Sequence, residues 1–169
     1  MHQAIVSVHN RSLFEREIAI ALKCRHPCLL QFIGATAFTS DDESPMLVTE
    51  IMDCSLRTRL YAEPPLSATE ICAISLDVAR ALNYLHKKRE PMIHNDISSA
   101  NVLLRRQGDR WRAKVADYGS INFLHQSTIN DVGAGIYCAP EYLDKKSNRP
   151  TSKVSDIHFK NVTFLRDLG

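Results

Sequence analysis

Between Ser67 and Lys87 runs one unbroken helical pattern with both ends marked, and the rest of the chain has to pack around it. Ser67-Ala68-Thr69-Glu70 is a capping-box pattern, in which a serine and a glutamate three residues later satisfy each other's backbone donors. Ile71, Ile74, Val78, Leu82 and Leu85 recur at three- and four-residue steps, which places them in one apolar stripe. Lys87 and Lys88 suit the negative end of the helix dipole. A stripe of that length needs cover, and the flanking segments must supply it.

Those segments are short. Met92-Ile93, Val102-Leu103-Leu104 and Trp111 to Ala116 predict strands, the last two joined by a turn at Gln107-Gly108-Asp109. Upstream, Ser12 to Cys24 predicts a helix with Leu13, Phe14, Glu17, Ile18, Ala21 and Leu22 on one face. Ser12 followed by Glu15 is a second capping pattern. His26-Pro27 ends that helix, because the residue before a proline leaves the helical region. Leu29 to Phe38 and Pro45 to Met52 predict a strand pair, with Gly34 as a weak point or bulge and 39–44 as an acidic turn. Ser55 to Tyr61 predicts a short helix stopped by Glu63-Pro64-Pro65, and beyond Tyr118 the chain reads as loop up to Pro140. The mixture is α+β, and 169 residues suggest one domain.

Composition narrows the functions. A net charge of +2 gives no reason to expect nucleic acid or an anionic membrane as partner. No apolar run approaches the ~18 residues of a membrane span. Met1 to Val8 lacks the pattern of a signal peptide, which points to a cytoplasmic protein or a piece of something larger. Five cysteines (Cys24, Cys28, Cys54, Cys72, Cys138) are an odd number without framework spacing, as for reduced thiols. Cys24-Arg25-His26-Pro27-Cys28 is interrupted by proline and has no second Cys/His pair nearby. Its ordinary reading is a helix end, a turn and the next strand.

The residues that could carry chemistry follow the long helix. His94-Asn95-Asp96-Ile97-Ser98-Ser99-Ala100-Asn101 is followed by Asp117-Tyr118-Gly119 and then by Ala139-Pro140-Glu141. Singly, an Asp near an Asn is usually a turn or a cap, and a lone histidine is usually packed and hydrogen-bonded. In this order and at this spacing the set resembles the catalytic half of a protein kinase. Phe14-Glu15-Arg16-Glu17-Ile18 with Arg25-His26-Pro27 is similar to the family's αC helix and the turn after it. Val48-Thr49-Glu50-Ile51-Met52 looks like the strand that ends in the hinge. Phe32-Ile33-Gly34 and Asn101-Val102-Leu103-Leu104 resemble the tyrosine-kinase-like branch. The resemblance covers roughly Leu13 to His158.

It implies an incomplete two-lobe kinase fold over residues 1–158, with 1–52 as a small-lobe remnant and 53–158 as part of the helical lobe, and 159–169 as a tail outside the pattern. It implies that Asp96 accepts or orients the proton of the attacking hydroxyl, that Asn101 and Asp117 hold Mg²⁺, and that Glu17 is the αC glutamate. Backbone groups of Glu50 and Met52 would meet the adenine of ATP beside Thr49, with Leu103 beneath the base and Gly119 giving the backbone freedom after the metal ligand. His94 would pack and anchor backbone.

The departures are as specific. There is no glycine before Gly34 and no lysine before Lys23, so the family's Gly-rich loop and ATP-binding lysine are not found. Ala4-Ile5-Val6-Ser7 is read as a remnant of the lysine-bearing strand, with Val6 or Ser7 where the lysine would fall. Asn95 replaces an arginine, so a phosphate on Ser127, Thr128 or Tyr137 would lack its clamp. Ser98 and Ala134 replace a lysine and a threonine of the pattern. Thr151 to His158 looks like the start of the family's αF helix, Asp156 included, and Phe159 to Gly169 does not continue it. A domain shortened at both ends is therefore expected, with Glu141 unpaired and an exposed apolar face on the long helix.

Three functions compete. One is phosphoryl transfer from MgATP to a protein Ser/Thr (or Tyr) hydroxyl in the complete protein, with this chain alone inactive. Another is a pseudokinase-type scaffold that binds a protein partner without catalysis. In the third, the chain is too unstable to act alone.

Overall fold

In the computed structural model, residues 3–7, 11–36, 46–119 and 121–123 are described. The acidic turn, the Ala139-Pro140-Glu141 stop, Ser127, Thr128, Ala134, Tyr137, Asp156 and the 159–169 tail lie outside them. A first sheet forms from β1 (Gln3–Ser7), β2 (Phe32–Ala35) and β3 (Met46–Glu50), in the antiparallel order β1-β3-β2. The strand expected at Ala4–Ser7 is present, and Val6 pairs with Leu47. The expected pair of β2 and β3 is present as well, and its register shifts between Phe32 and Gly34, the position marked as a bulge. β2 is shorter than expected: Leu29 makes a single parallel bridge to Val115 before the strand begins.

Helix α1 (Arg11–Lys23) begins one residue earlier than expected, so Ser12 sits in its first turn. Its buried residues include Phe14, Ile20 and Ala21, whereas Leu22 is 55% exposed. Ile20 therefore takes the core position assigned to Leu22, because the face that packs is set by the neighbouring sheet.

The second sheet is β4 (Cys54–Ser55), β6 (Val102–Gln107) and β7 (Arg110–Val115), in the order β4-β6-β7. The β6–β7 hairpin turns at Gly108, whose φ of +58° suits a residue without a Cβ. Strand β4 was not anticipated, and it leads directly into α2 (Leu56–Leu60), capped by the Ser55 hydroxyl. The stretch read as loop beyond Tyr118 contains a short strand, β8 (Asn122–Phe123), paired with β5 (Met92–Ile93).

Helix α3 (Ala68–His86) forms as its sequence dictates, with Ser67 and Glu70 closing a reciprocal capping box and Lys87 at the C-cap. Its stripe is covered: Ile74, Val78, Leu82 and Leu85 are 0–3% exposed. The expectation of an exposed apolar face fails for these residues, because Leu104, Val115 and Ile121 join them in one core. Full burial of one such side chain contributes about 1.5–3 kcal/mol.

An acidic residue sits in that core. Asp77 of α3 is 2% exposed and accepts the backbone N–H of Ala113 at 3.1 Å. Its other oxygen faces Arg112 at 3.4 Å, Arg80 at 3.6 Å and the Cys28 thiol at 3.6 Å. One carboxylate thereby ties α3 to β7 and to the turn before β2.

Candidate active-site cleft

The Asp96-to-Asn101 loop lies between β5 and β6, and its inward-facing residues are packed: Ile97, Ser98 and Ser99 are buried. His94 is fully buried, and its Nε2 lies 3.0 Å from the carbonyl oxygen of Ala116. The Asp96 N–H approaches His94 Nδ1 at 3.4 Å. The imidazole thus links the backbone at Asp96 to the residue before Asp117.

Asn101 completes the loop. Its Nδ2 donates to the Asp96 carbonyl at 2.9 Å and to Asp96 Oδ2 at 2.8 Å. With the amide nitrogen spent on Asp96, the Asn101 side-chain oxygen is the atom left for a ligand. The Asn101 backbone carbonyl accepts the Ala116 N–H at 2.8 Å, which holds Asp117 next to it in space.

Asp117 has φ +68° and Asn95 has φ +65°. Both are residue types that tolerate the left-handed region better than most. The Gly119 N–H donates to Asp117 Oδ1 at 3.0 Å, and a Cβ on Gly119 would stand 3.2 Å from that oxygen. The expected role of Gly119 is corrected in its physical basis: the unusual dihedral falls on Asp117, and glycine is needed for close approach of the carboxylate.

Asn101 and Asp117 line a cavity of about 490 Å³ together with Glu17, Thr49, Glu50, Met52 and Leu103. Asp96 is not on that wall and reaches it through Asn101. The remaining walls are mainly apolar, including Leu30, Phe32, Leu47 and Ala116. Ile51 lines the cavity as well, beside Glu50 and Met52. The Glu17 carboxyl is held above its ordinary value, first by burial and then by the charge of Asp117, with the Tyr118 backbone N–H acting in the opposite direction.

Three residues at or next to the cleft, and Asp77 in the core, were given no role by the sequence reading. Lys114 pairs with Glu50 Oε1 at 2.5 Å, and the same oxygen accepts the Gln31 N–H at 2.7 Å. This lysine therefore serves the hinge and not Glu17. Tyr118 is buried, and its hydroxyl donates to the Leu30 carbonyl at 2.5 Å. Burial drives its phenol far above the usual range. Cys54 lines the cavity, its thiol pushed up first by burial and then by Asp53. Asp77 is the fourth. Only Asp77 carried a signal, as a charge directly beside the apolar stripe of α3.

Magnesium and ATP, which the resemblance implies, can be tested against these atoms. The Asn101 amide oxygen and the Asp117 carboxylate are hard oxygen donors that suit Mg²⁺. The hinge backbone and apolar walls suit a purine. The phosphate end does not fit as well: among the described residues no lysine, arginine or histidine lines the cavity.

Comparison with known proteins agrees with this architecture. The family model described as protein kinase domain matches residues 2–164. The chain is 37% identical over 114 residues to the human (Homo sapiens) serine/threonine-protein kinase TNNI3K, covering 66% of this chain and 13% of that protein. To the serine/threonine-protein kinase CTR1 of Arabidopsis thaliana it is 30% identical over 153 residues, covering 86% of this chain and 17% of that protein. To U-box domain-containing protein 35 of Arabidopsis thaliana it is 36% identical over 168 residues, 90% of this chain and 19% of that protein. The chain thus spans less than a fifth of the length of each of these relatives. With the hinge, the catalytic loop and the Asp-Tyr-Gly segment around one cleft, and a family match from residue 2 to residue 164, the chain belongs to the protein kinase domain family.

Proposed function

We propose that the complete protein transfers a phosphoryl group from MgATP to a serine or threonine hydroxyl of a protein, and that this chain alone does not. The observation that supports the reading is the shared cavity of Asn101, Asp117 and the hinge, with Asp96 bonded to Asn101 at 2.8 Å. In this reading Asp96 takes the hydroxyl proton, Asn101 and Asp117 hold Mg²⁺, and Glu50 and Met52 present backbone groups to the base beside Thr49 and over Leu103. ATP supplies the transferable group. Relatives named as serine/threonine kinases favour that hydroxyl over tyrosine. Glu17 corresponds to the αC glutamate, and among the described residues no cation lines the cavity beside it. Removing one preorganised electrostatic donor typically lowers a rate by about 10²–10³-fold, which is why the isolated chain is expected to be inactive.

That same lack of a cation favours a second reading, a pseudokinase-type scaffold that holds a protein partner without catalysis. A phosphotransfer assay of the complete protein with labelled ATP and a mixed peptide substrate separates the two. Incorporation abolished by Asp96→Asn and Asp117→Asn supports the enzyme; incorporation at background in the unsubstituted protein supports the scaffold. No helix among the described residues is long and apolar enough to cross a membrane. The free thiols of Cys24, Cys28, Cys54 and Cys72 suit a reducing compartment, and a cytoplasmic placement is proposed on that ground.

A further inference from the structure

The second half of α3 builds another pocket, which shares no lining residue with the cleft. About 340 Å³ in volume, it is lined by His26, Arg80, Asn83, Tyr84, Lys87 and Lys88. Three of these side chains are cations, and two of the three are held in place. Lys88 Nζ donates to the Lys23 carbonyl at 2.6 Å and to the Tyr84 hydroxyl at 3.2 Å. That hydroxyl also accepts the Arg25 N–H at 3.2 Å. Arg80 leans on Asp77 at 3.6 Å, and it shares this one buried carboxylate with Arg112 at 3.4 Å, so its charge is only partly offset.

A phosphate monoester brings close to two negative charges and three acceptor oxygens, and an arginine with two lysines is a matching donor set. Carbonyls at the end of a helix oppose an anion, but here the carbonyls of Asn83 and Leu85 are taken by the N–H groups of Lys87 and Lys88 at 3.0 and 3.5 Å. The Tyr84 ring is stacked on His26 and has Lys88 Nζ 4.8 Å from its centroid. It is thus engaged within the pocket rather than open to a nucleic-acid base. Beside the cations stands Leu76, which is 50% exposed and shares a face of α3 with Arg80, Asn83 and Lys87. We propose that this pocket and Leu76 together dock a phosphorylated segment of a partner protein, with the phosphate monoester among Arg80, Lys87 and Lys88 and an apolar side chain on Leu76. From Leu76 to Asn83 is about 10 Å along the helix, which roughly three extended residues would span.

Fluorescence anisotropy of the purified chain with a labelled peptide, Gly-Leu-Ala-Ala-Ser-Ala-Ala-Leu-Gly, tests it, the serine being phosphorylated or not. The leucines stand three residues to either side of the serine, so either chain direction reaches Leu76. The phosphorylated peptide is expected to bind about tenfold more tightly than the other, the scale of two exposed charge pairs. Raising sodium chloride from about 50 to about 500 mM should shrink that preference, since such pairs are screened. Lys87→Glu, at an exposed position, should abolish it, and Arg80→Gln should lessen it several-fold with the unphosphorylated peptide unaffected. Leu76→Ser should weaken the phosphorylated peptide several-fold. Equal affinity of the two peptides, no response to Lys87→Glu, or absence of binding by both overturns the proposal. So does displacement of the peptide by an equal concentration of inorganic phosphate with Leu76→Ser silent, which would mark a site for the free ion. Tighter binding of a labelled single-stranded RNA with the same dependence on Lys87 overturns it in favour of nucleic acid.

Discussion

At the scale of single residues, two buried or half-buried polar groups decide more than their neighbours. His26 stacks on Tyr84 with ring centroids 5.0 Å apart, and its Nδ1 accepts the Cys28 N–H at 3.1 Å. Burial, then the charge of Arg80, lowers its proton affinity below the ordinary value of 6.5, with Asp77 opposing. The unfolded chain therefore binds the proton more readily. The histidine's contribution is full above that ordinary value and is lost as pH falls through the lowered one. Thermal melts from about pH 7.5 down to about pH 5, across the range where histidine titrates, should show the midpoint falling more steeply for the unsubstituted chain than for His26→Gln. Asp77→Ala removes the acceptor of the buried Ala113 N–H and the common partner of Arg80 and Arg112. The two arginines remain half in water, so the expected cost is roughly 2–3 kcal/mol, read from urea denaturation. The partners of Asp77 could not be read from the chain: Cys28, Ala113 and Arg112 are distant in sequence and meet it only after α3 is laid on β7.

At the scale of elements, local signals were strongest where a cap and a stripe coincide. Ser67 and Glu70 hold the start of α3 with three bonds between them, the longest 3.3 Å. Ser67→Ala should cost about 1 kcal/mol, visible as a lower denaturation midpoint with an unchanged slope. Helix α3, the β6–β7 hairpin and α2 were legible because each is fixed by residues within a few positions of one another. Strands β4 and β8, two residues each, were not. They exist only because β6 and β5 offer them a partner, and two residues carry too little pattern to be seen. The swap of Leu22 for Ile20 on α1 has the same origin: periodicity allows either face, and the neighbouring sheet selects one.

At the scale of the whole molecule, one core joins α1, α3 and the second sheet, and Leu85 lies fully buried within it. Leu85→Ala should cost roughly 2–5 kcal/mol, a large part of the ~5–15 kcal/mol available to a domain. A far-ultraviolet melt should show a greatly lowered midpoint or no cooperative transition. Because no lysine, arginine or histidine among the described residues lines the cleft, magnesium ATP is expected to raise the melting temperature of the chain by less than about two degrees, and a larger shift would show that a cation reaches the cleft. The order of helix, strand pair, long helix, Asp-Asn loop and Asp-Tyr-Gly segment was written in the sequence, because motif spacing and hydrophobic period are local properties. What folding alone decided is where the charges meet. Asn101 turns its amide nitrogen to Asp96, Lys114 is drawn to Glu50, and Glu17 and Asp117 come to line one cavity, because electrostatic partners are chosen by distance in space and a linear chain does not contain that distance.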